Sequence, residues 1–507
     1  MTPDEIRAIY QLGPEAICGL VEGQHAQIDT LAHQVSQLQE RIKELEAQLG
    51  QNSRNSSKPP SSDKARWRQK RQRPKSDRPS GGQKGHPGHH LALSERPDQV
   101  HELPPEQCTA CGNSLANAQS VGEERRQVFE LPPLALEVTE YRAQTKRCPQ
   151  CSQNSSGQFP AQVSDTVQYG PKVAALVSYL HSYQLLPQKR TGELFEHLFG
   201  HRLSDGTVNN MRDRCAEGLV EFEHQVKEAV GAAPVVNFDE TGFYVNTKRY
   251  WLHSASTPKL TYYAWHPKRG KQAMDEIGIL PDFEGVAVHD AYSSYFVYEC
   301  EHSLCNAHLI RDLTAVVESD PEQQEWAEKM RRLMGQIKAC LERSRKDVRD
   351  EAQKGGGLTL AQLGEFEARY DELLTAGERA NPPPQKPSKP KRGRVKKTKA
   401  QNLLARLRKY HTETLRFIYE FRVPFDNNLA ERDIRMLKVQ QKISGCFRSK
   451  GGATSFCRVR SYISTVRKQG IDVLQALEGV FTGHPFSLIP KVTTQVNSFQ
   501  VCAGDVN

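Results

Sequence analysis

From Gln51 to about Arg96 the chain contains almost nothing that can form a core, and this stretch divides everything around it. The text QNSRNSSKPPSSDKARWRQKRQRPKSDRPSGGQKGHPGHH is poor in aliphatic side chains and dense in Ser, Pro, Gly and bases. Burial of apolar surface is what offsets the entropy of ordering a chain, so a segment of this composition is predicted to be disordered when free. Between Gln51 and His90 it carries eleven Lys/Arg against two Asp, which equals the +9 of the whole 507-residue chain. The excess charge is therefore local, as in an arm that tracks a polyanion. Lys64, Arg66, Arg68, Lys70 and Arg71 are its candidate phosphate contacts.

The length exceeds what one compact core serves, so two or three globular units plus linkers are expected. No stretch approaches eighteen uninterrupted apolar residues, which argues against a membrane span. The start, MTPDEIRAIY, lacks the basic and apolar regions of a secretory signal. Of twelve cysteines, four sit in two C-x-x-C pairs and most others are isolated, as in a reducing interior. The expectation is a soluble intracellular protein.

Before the arm, Ile28, Leu31, Val35, Leu38, Ile42, Leu45 and Leu49 are spaced 3, 4, 3, 4, 3, 4. β-Branched residues alternating with Leu in such a seam favour a parallel two-stranded coil. Residues 1–50 are thus read as a helical coiled-coil segment that makes a homodimer or higher oligomer through residues 28–49, with Gly50 ending the seam. Residues 51–100 are the basic arm.

In the next segment, residues 101–160, Cys108-x2-Cys111 and Cys148-x2-Cys151 bracket a strand-like stretch, RRQVFELPPLALEVTEYRAQTKR. Two short knuckles offering four thiolates suit one tetrahedral structural Zn²⁺ in a zinc ribbon, with no open position for chemistry. Redox pairs or inert thiols are the competing reading. Residues 165–232 read as a helical domain of three helices. The first is PKVAALVSYLHSYQLL, the second QKRTGELFEHLFG, and the third begins at Ser204-Asp205 and runs on to Val230. Such a set either enters a DNA groove as a helix-turn-helix or simply packs.

After Pro234 the text turns β-like. VVNFDETGFYV, RYWLHSAST and LTYYAWHP read as a strand meander, followed by a helical piece, KQAMDEIGIL, and a buried strand, GVAVHD. Three antiparallel strands, a helix and a parallel strand are the order of a ribonuclease-H-like core, whose first part would be residues 233–317. In that order Asp239 lies in the first strand and Asp290 at the end of the fourth, side by side although 51 residues apart. Paired carboxylates on a rigid sheet repel, and a divalent cation relieves the repulsion. Two Mg²⁺ (or Mn²⁺) about 4 Å apart serve in-line phosphodiester displacement and need a third acid from a neighbouring helix.

Glu431, in PFDNNLAERDIRMLKVQQKISG, is the candidate for that acid, with Asp426 and Asp433 as competitors. Asp426 or Asn427 would cap the helix. Glu431, Arg435, Lys438 and Lys442 recur at i, i+4, i+7 and i+11, so a metal ligand would share a face with three phosphate-binding cations. The competing reading of those cations is a solvated surface. Glu240 beside Asp239 points to the opposite face of a strand. His289 and His308 read as packed or surface residues near this region. Arg448 and Lys450, in RSKGG, continue the basic series as further DNA-contact candidates.

DETGFYV, HDAYSSY, CNAHLIRDL and PFDNNLAERDIRMLKVQQKISGCFRSKGG, in this order, resemble the transposases of the insertion-sequence 66 family (TnpC type). The QNSRNSSKPPSSD arm and the paired knuckles resemble the same family, so the likeness runs over nearly the whole chain. It implies a DDE transposase that cleaves DNA at element ends and joins the strands to target DNA. The implied catalytic and Mg²⁺-binding triad is Asp239, Asp290 and Glu431. It also implies a helical insertion, which fits residues 318–421. Within it, Lys386 to Lys399 hold eight bases and no acid, as a loop contacting flanking DNA would. Residues 422–450 would carry the third acid, and residues 451–507 would be a C-terminal extension bordering the DNA channel. Element ends, target DNA and accessory proteins of the same element are the implied partners, and a bacterial, nucleoid-associated cytoplasmic location is implied. The alternative is a DNA-binding protein of a mobile element that does not cleave.

Overall fold

A computed structural model of the chain describes residues 3–52, 54–56, 91–350, 358–383 and 397–488. The arm bases Lys64, Arg66, Arg68, Lys70 and Arg71 lie outside these residues, as does the basic loop from 386 to 396. Two compact units divide the chain. One comprises residues 1–67, 169–191 and 204–507, and the other residues 68–168 and 192–203.

In the larger unit, α1 (Pro3–Gln11) is followed by α2 (Pro14–Leu49), a single helix that starts well before the heptad seam and stops at Gly50. Every seam residue from Ile28 to Leu49 is exposed, Leu38 at 62%. The seam therefore has no apolar partner within the described residues of this chain.

The smaller unit holds one short hairpin, β1 (Thr145–Arg147) paired antiparallel with β2 (Asn154–Ser156). The strand-like stretch expected before it is not a hairpin. Residues 121–144 form no strand, and Val128, Phe129, Leu131 and Val138 are exposed. Their alternation had nothing to pack against, and β-propensity reflects packing on a pleated surface more than backbone preference.

The helical segment expected at 165–232 is not a domain of its own. It consists of α3 (Pro171–Ser178, continued by a π turn over Tyr179–Tyr183), α4 (Gln188–Phe199), α5 (Asp205–Glu217) and α6 (Val220–Gly231). Ser204 caps α5 by accepting from the Thr207 N–H at 3.0 Å, as its sequence suggests. The long third helix of the sequence reading is broken at Gly218. There Val480 comes so close that a Cβ would meet it at 2.8 Å. Ala175, Cys215, Leu219, Phe222, Val226 and Val230 join the same core as the sheet, so packing consumes the apolar faces of α3, α5 and α6.

The sheet has five strands: β3 (Val235–Val245), β4 (Lys248–Ser256), β5 (Thr261–His266), β6 (Val286–His289) and β7 (Glu301–Leu304). Their spatial order is β5-β4-β3-β6-β7, antiparallel among the first three and parallel from β3 through β6 to β7. α7 (Lys271–Ile277) connects the two kinds. Strand alternation sends β3 side chains to two cores. Val236 and Phe238 enter one with α6, α14 (Lys450–Lys468) and α15 (Val473–Phe481). Val235 packs in the other, with Val286 and Val288, against α8 (Asn306–Ser319) and the helices that follow it. These are α9 (Glu325–Asp350), α10 (Leu360–Ala380), α11 (Lys399–Lys409) and α12 (His411–Tyr419).

The chain then returns to β3 and β4 through α13 (Asn428–Ser444), whose Ile434 and Leu437 pack with Phe243, Tyr250 and Leu252. The expected C-terminal extension is corrected here. α14 lies against β5, with Ser461 accepting from the Tyr263 N–H at 2.9 Å and Thr465 from the Thr261 N–H at 3.1 Å. Even Arg460 in this helix is buried, so the segment is part of the core and no appendage.

Candidate active site

β3 and β6 run parallel with Val235 opposite Val286 and Asn237 opposite Val288. Two residues further along come Asp239 in β3 and Asp290 just past β6. Period-two alternation therefore puts both on the face covered by α8 and the helices after it. Asp290 is fixed by accepting the Tyr292 N–H at 2.9 Å. Asp239 accepts its neighbour's N–H, from Glu240, at 2.9 Å. The Asp239 carboxyl is held well above the ordinary carboxylate range, first by burial, then by the charges of Glu240, Asp290 and Glu431.

Glu431 reaches this place through a buried asparagine. Asn427 precedes α13 but does not cap it with its side chain. Instead its Nδ2 donates to the Phe238 carbonyl at 2.7 Å, and its Oδ1 accepts from Asn237 Nδ2 at 2.8 Å. Its backbone N–H donates to Cys305 Sγ at 3.1 Å. Asp426 accepts the Asn428 N–H at 3.1 Å. One residue thus ties the start of α13 to the strand segment just before Asp239, and Glu431 follows one helical turn later. The sequence marks Asn427 only as a capping residue. Its tie to β3 spans 190 positions of sequence, which local pattern does not show.

The other acids have partners of their own. Asp433 accepts from Lys468 at 2.6 Å, Ser256 at 2.7 Å and Thr261 at 3.0 Å. Asp426 lies 3.5 Å from Lys338. Glu240 faces away from Asp290's side of the sheet, as alternation requires, yet it is buried. Its carboxylate accepts from Arg269 Nη2 at 2.6 Å and from the Tyr295 hydroxyl. Burial still pushes the Glu240 carboxyl up, opposed by the Tyr295 hydrogen bond. Arg269 in turn stacks on Tyr292 at 4.1 Å and on Trp251 at 5.1 Å. Arg269 had no distinguishing mark in the sequence.

Glu431 itself has looser neighbours: His308 Nδ1 at 3.6 Å and Arg311 Nη2 at 3.5 Å from Oε1. His308 is partly buried, and its ring faces Glu431. Cys305, His308 and Glu431 have ligand atoms within 4.8 Å of one another. His289, by contrast, is packed. It stacks on Tyr295 at 4.4 Å and bonds to His302 at 2.9 Å.

Arg435, Lys438 and Lys442 are exposed along α13, and Arg448 and Lys450 are exposed beyond it. Lys438 donates to the Gly242 carbonyl. Arg448 also lines a groove of about 510 Å³ shared with Lys189, Asn209 and Arg212.

In the smaller unit the two cysteine pairs form near-identical turns. Cys108 N–H donates to Asn113 O and Gly112 N–H to Cys108 O, each at 2.8 Å. Cys148 N–H likewise donates to Gln153 O at 2.8 Å, and Ser152 N–H to Cys148 O at 2.9 Å. The residue after the second cysteine takes positive φ in both, Gly112 at 76° and Ser152 at 59°. Peptide N–H groups aimed at sulfur, from Ala110 and Cys111, lower the Cys108 thiol. Those of Cys151 and Gln150 lower Cys148. Each knuckle brings its pair together. The four sulfurs do not form one cluster, for among the described residues Cys305, His308 and Glu431 are the one set of three or more that meets metal-ligand spacing.

The model of the Transposase IS66 family matches residues 166–455, more than half the chain. The chain belongs to the IS66 family of transposases. The zinc-finger binding domain of IS66 transposases matches residues 105–152, which spans all four knuckle cysteines. A family of unknown function matches residues 14–92. No curated protein matches the chain. Membership ties the chain to transposition-related activity on DNA, and the finger segment to a zinc site. Among the described residues no helix is long and apolar enough to cross a membrane.

Proposed function

We propose that this chain is a DDE transposase that cleaves DNA at element ends and transfers the strands into target DNA. Asp239, Asp290 and Glu431 would hold two Mg²⁺ or Mn²⁺ ions. The observation that carries this reading is the β3–β6 register, which sets Asp239 and Asp290 at neighbouring positions, with Asn427 tying the helix of Glu431 to β3. Burial and then the charges of Glu240, Asp290 and Glu431 hold the Asp239 carboxyl up. Such repulsion is what a divalent cation relieves, so the residues fit the group. Bound ions of this kind supply positive charge to the attacking and leaving oxygens of a phosphodiester. The five-strand order and the helical insertion between β7 and α13 support a ribonuclease-H-like core. Competing acids are engaged at shorter distances, Asp433 by Lys468 and Glu240 by Arg269, whereas Glu431 has looser contacts with His308 and Arg311, which favours Glu431 for this role. Arg435, Lys438, Lys442, Arg448 and Lys450 are exposed where DNA phosphates can reach them.

The knuckle cysteines Cys108, Cys111, Cys148 and Cys151 would hold one structural Zn²⁺. Peptide N–H groups that favour thiolate at Cys108 and Cys148 fit that ion. The exposed seam of α2 would bury itself against a second copy, and the arm at 64–71 would track phosphates.

The test is incubation of the purified chain with labelled element-end DNA and Mg²⁺ or Mn²⁺, scoring nicks and joined products. Asp239→Asn, Asp290→Asn and Glu431→Gln should each lower cleavage and joining on the order of 10³-fold or more while end binding persists. The exposed Asp282→Asn and Glu284→Gln are the controls. Wild-type cutting by Glu431→Gln would remove it from the triad, and full activity in all three would end the enzyme reading.

A further inference from the structure

We infer that Cys305, His308 and Glu431 form a second kind of metal site, selective for thiophilic divalent cations such as Zn²⁺, distinct in chemistry from both the knuckles and an all-carboxylate site. Their ligand atoms lie within 4.8 Å of one another, so small side-chain movements bring sulfur, imidazole nitrogen and carboxylate oxygen to one ion. Zinc takes this mixed donor set at about 2.0–2.3 Å, with a fourth position open to water or another acid.

The local fold prepares these donors. Cys305 is the residue before α8, and His308 stands three positions on, in the first turn of a 14-residue helix. That spacing puts both on one side of the helix start, where the helix dipole favours an anionic sulfur. The Asn427 N–H at 3.1 Å donates to the sulfur, but burial pushes the Cys305 thiol up to about 11, so a bound cation has to displace its proton. His308 Nδ1 is buried without a hydrogen-bond partner and lies 3.6 Å from Glu431 Oε1, so it points at the third donor. Arg311 touches the same Glu431 oxygen at 3.5 Å and would have to share it with a metal. A hard ion such as Mg²⁺ prefers all-oxygen shells and would not select the sulfur. Glu431 would then be shared: a thiophilic ion here withdraws it from Asp239 and Asp290.

Co²⁺ titration of the full chain carrying Cys111→Ser and Cys148→Ser, which silences the knuckles, tests the site. A thiolate-to-cobalt charge-transfer band should appear and saturate at one equivalent of sulfur-bound Co²⁺. Cys305→Ser in that background should abolish the band, and His308→Gln and Glu431→Gln should each weaken Co²⁺ binding at least tenfold. Absence of the band, or a band that persists in Cys305→Ser, overturns the site. If Cys305→Ser fails to fold by circular dichroism, His308→Gln decides. Unchanged Co²⁺ affinity in a folded His308→Gln chain equally overturns it.

Discussion

The knuckle segment and the sheet arrange their polar residues by opposite means. Around Cys108 and Cys148 each pair is set by its own turn: hydrogen bonds span five residues, and a positive φ follows the second cysteine. Little apolar packing joins the two turns, since Val128, Phe129 and Leu131 between them are exposed. In the sheet, the residues of the site come from strands and a helix up to 192 positions apart. They are held by register, by two apolar cores and by the buried Asn427. Local chemistry makes good half-sites. Joining them takes either a core or an ion, and only the sheet has the core.

The largest effect expected from this contrast is on chelation. If Zn²⁺ joins the knuckles, its removal takes away on the order of 10 kcal/mol from a segment with little else to hold it. EDTA, or acid that protonates the thiolates, should then abolish protection of residues 105–157 in hydrogen exchange while β3–β6 amides stay protected. Equal loss in both regions would break the comparison.

Next is Asn427→Ala, which strips a donor from the Phe238 carbonyl and an acceptor from Asn237 in a buried place. Leaving two such groups unpaired costs roughly 4 kcal/mol. Urea unfolding of the sheet unit should show that loss. Activity should fall more than end binding, because α13 is no longer pinned beside Asp239. A stability change under about 1 kcal/mol would mean that the apolar cores alone set the site.

A smaller expected effect concerns α2, whose seam resembles the knuckles in waiting for a partner. Leu38→Pro removes a helix hydrogen bond at a cost of about 3 kcal/mol and should shift the full chain toward monomer in sedimentation. An unchanged mass would assign the exposed seam elsewhere.

The smallest is electrostatic. Deleting residues 64–78 should flatten the salt dependence of DNA binding, equally for all sequences. The log–log slope should fall by about 0.9 for each phosphate that the arm no longer neutralises. A changed sequence preference at constant slope would mean that the arm reads bases.

Much of this was legible in the residues. The strand meander, the later parallel strand, both knuckles, the Ser204 cap and the end of α2 at Gly50 depend on neighbours a few positions away, and such signals survive in one dimension. So do the identities of Asp239, Asp290 and Glu431 as candidates. Other features were not legible, because they depend on what a face meets. The third-helix pattern breaks at Gly218, where Val480 packs too close for a side chain, and the helices before β3 are core rather than a domain. The stretch 121–144 alternates like a strand and pairs with nothing. Residues 451–468 read as a basic extension and pack as a buried helix, because Ser461 and Thr465 find β5 and Arg460 finds the carbonyls of Ser182 and Tyr183.

By itself, then, the sequence determined the strand meander, the two cysteine turns and the Ser204 cap, since those follow from local geometry. Tertiary structure decided what each acid meets. Asp433, Asp426 and Glu240 are chemically as able as Glu431, and nothing within a few residues of any of them says otherwise. Lys468, Lys338 and Arg269 engage those three from 35, 88 and 29 positions away. A carboxylate's role is set by the charges that surround it in space, and that neighbourhood exists only once the strands have paired and α13 has been pinned to them.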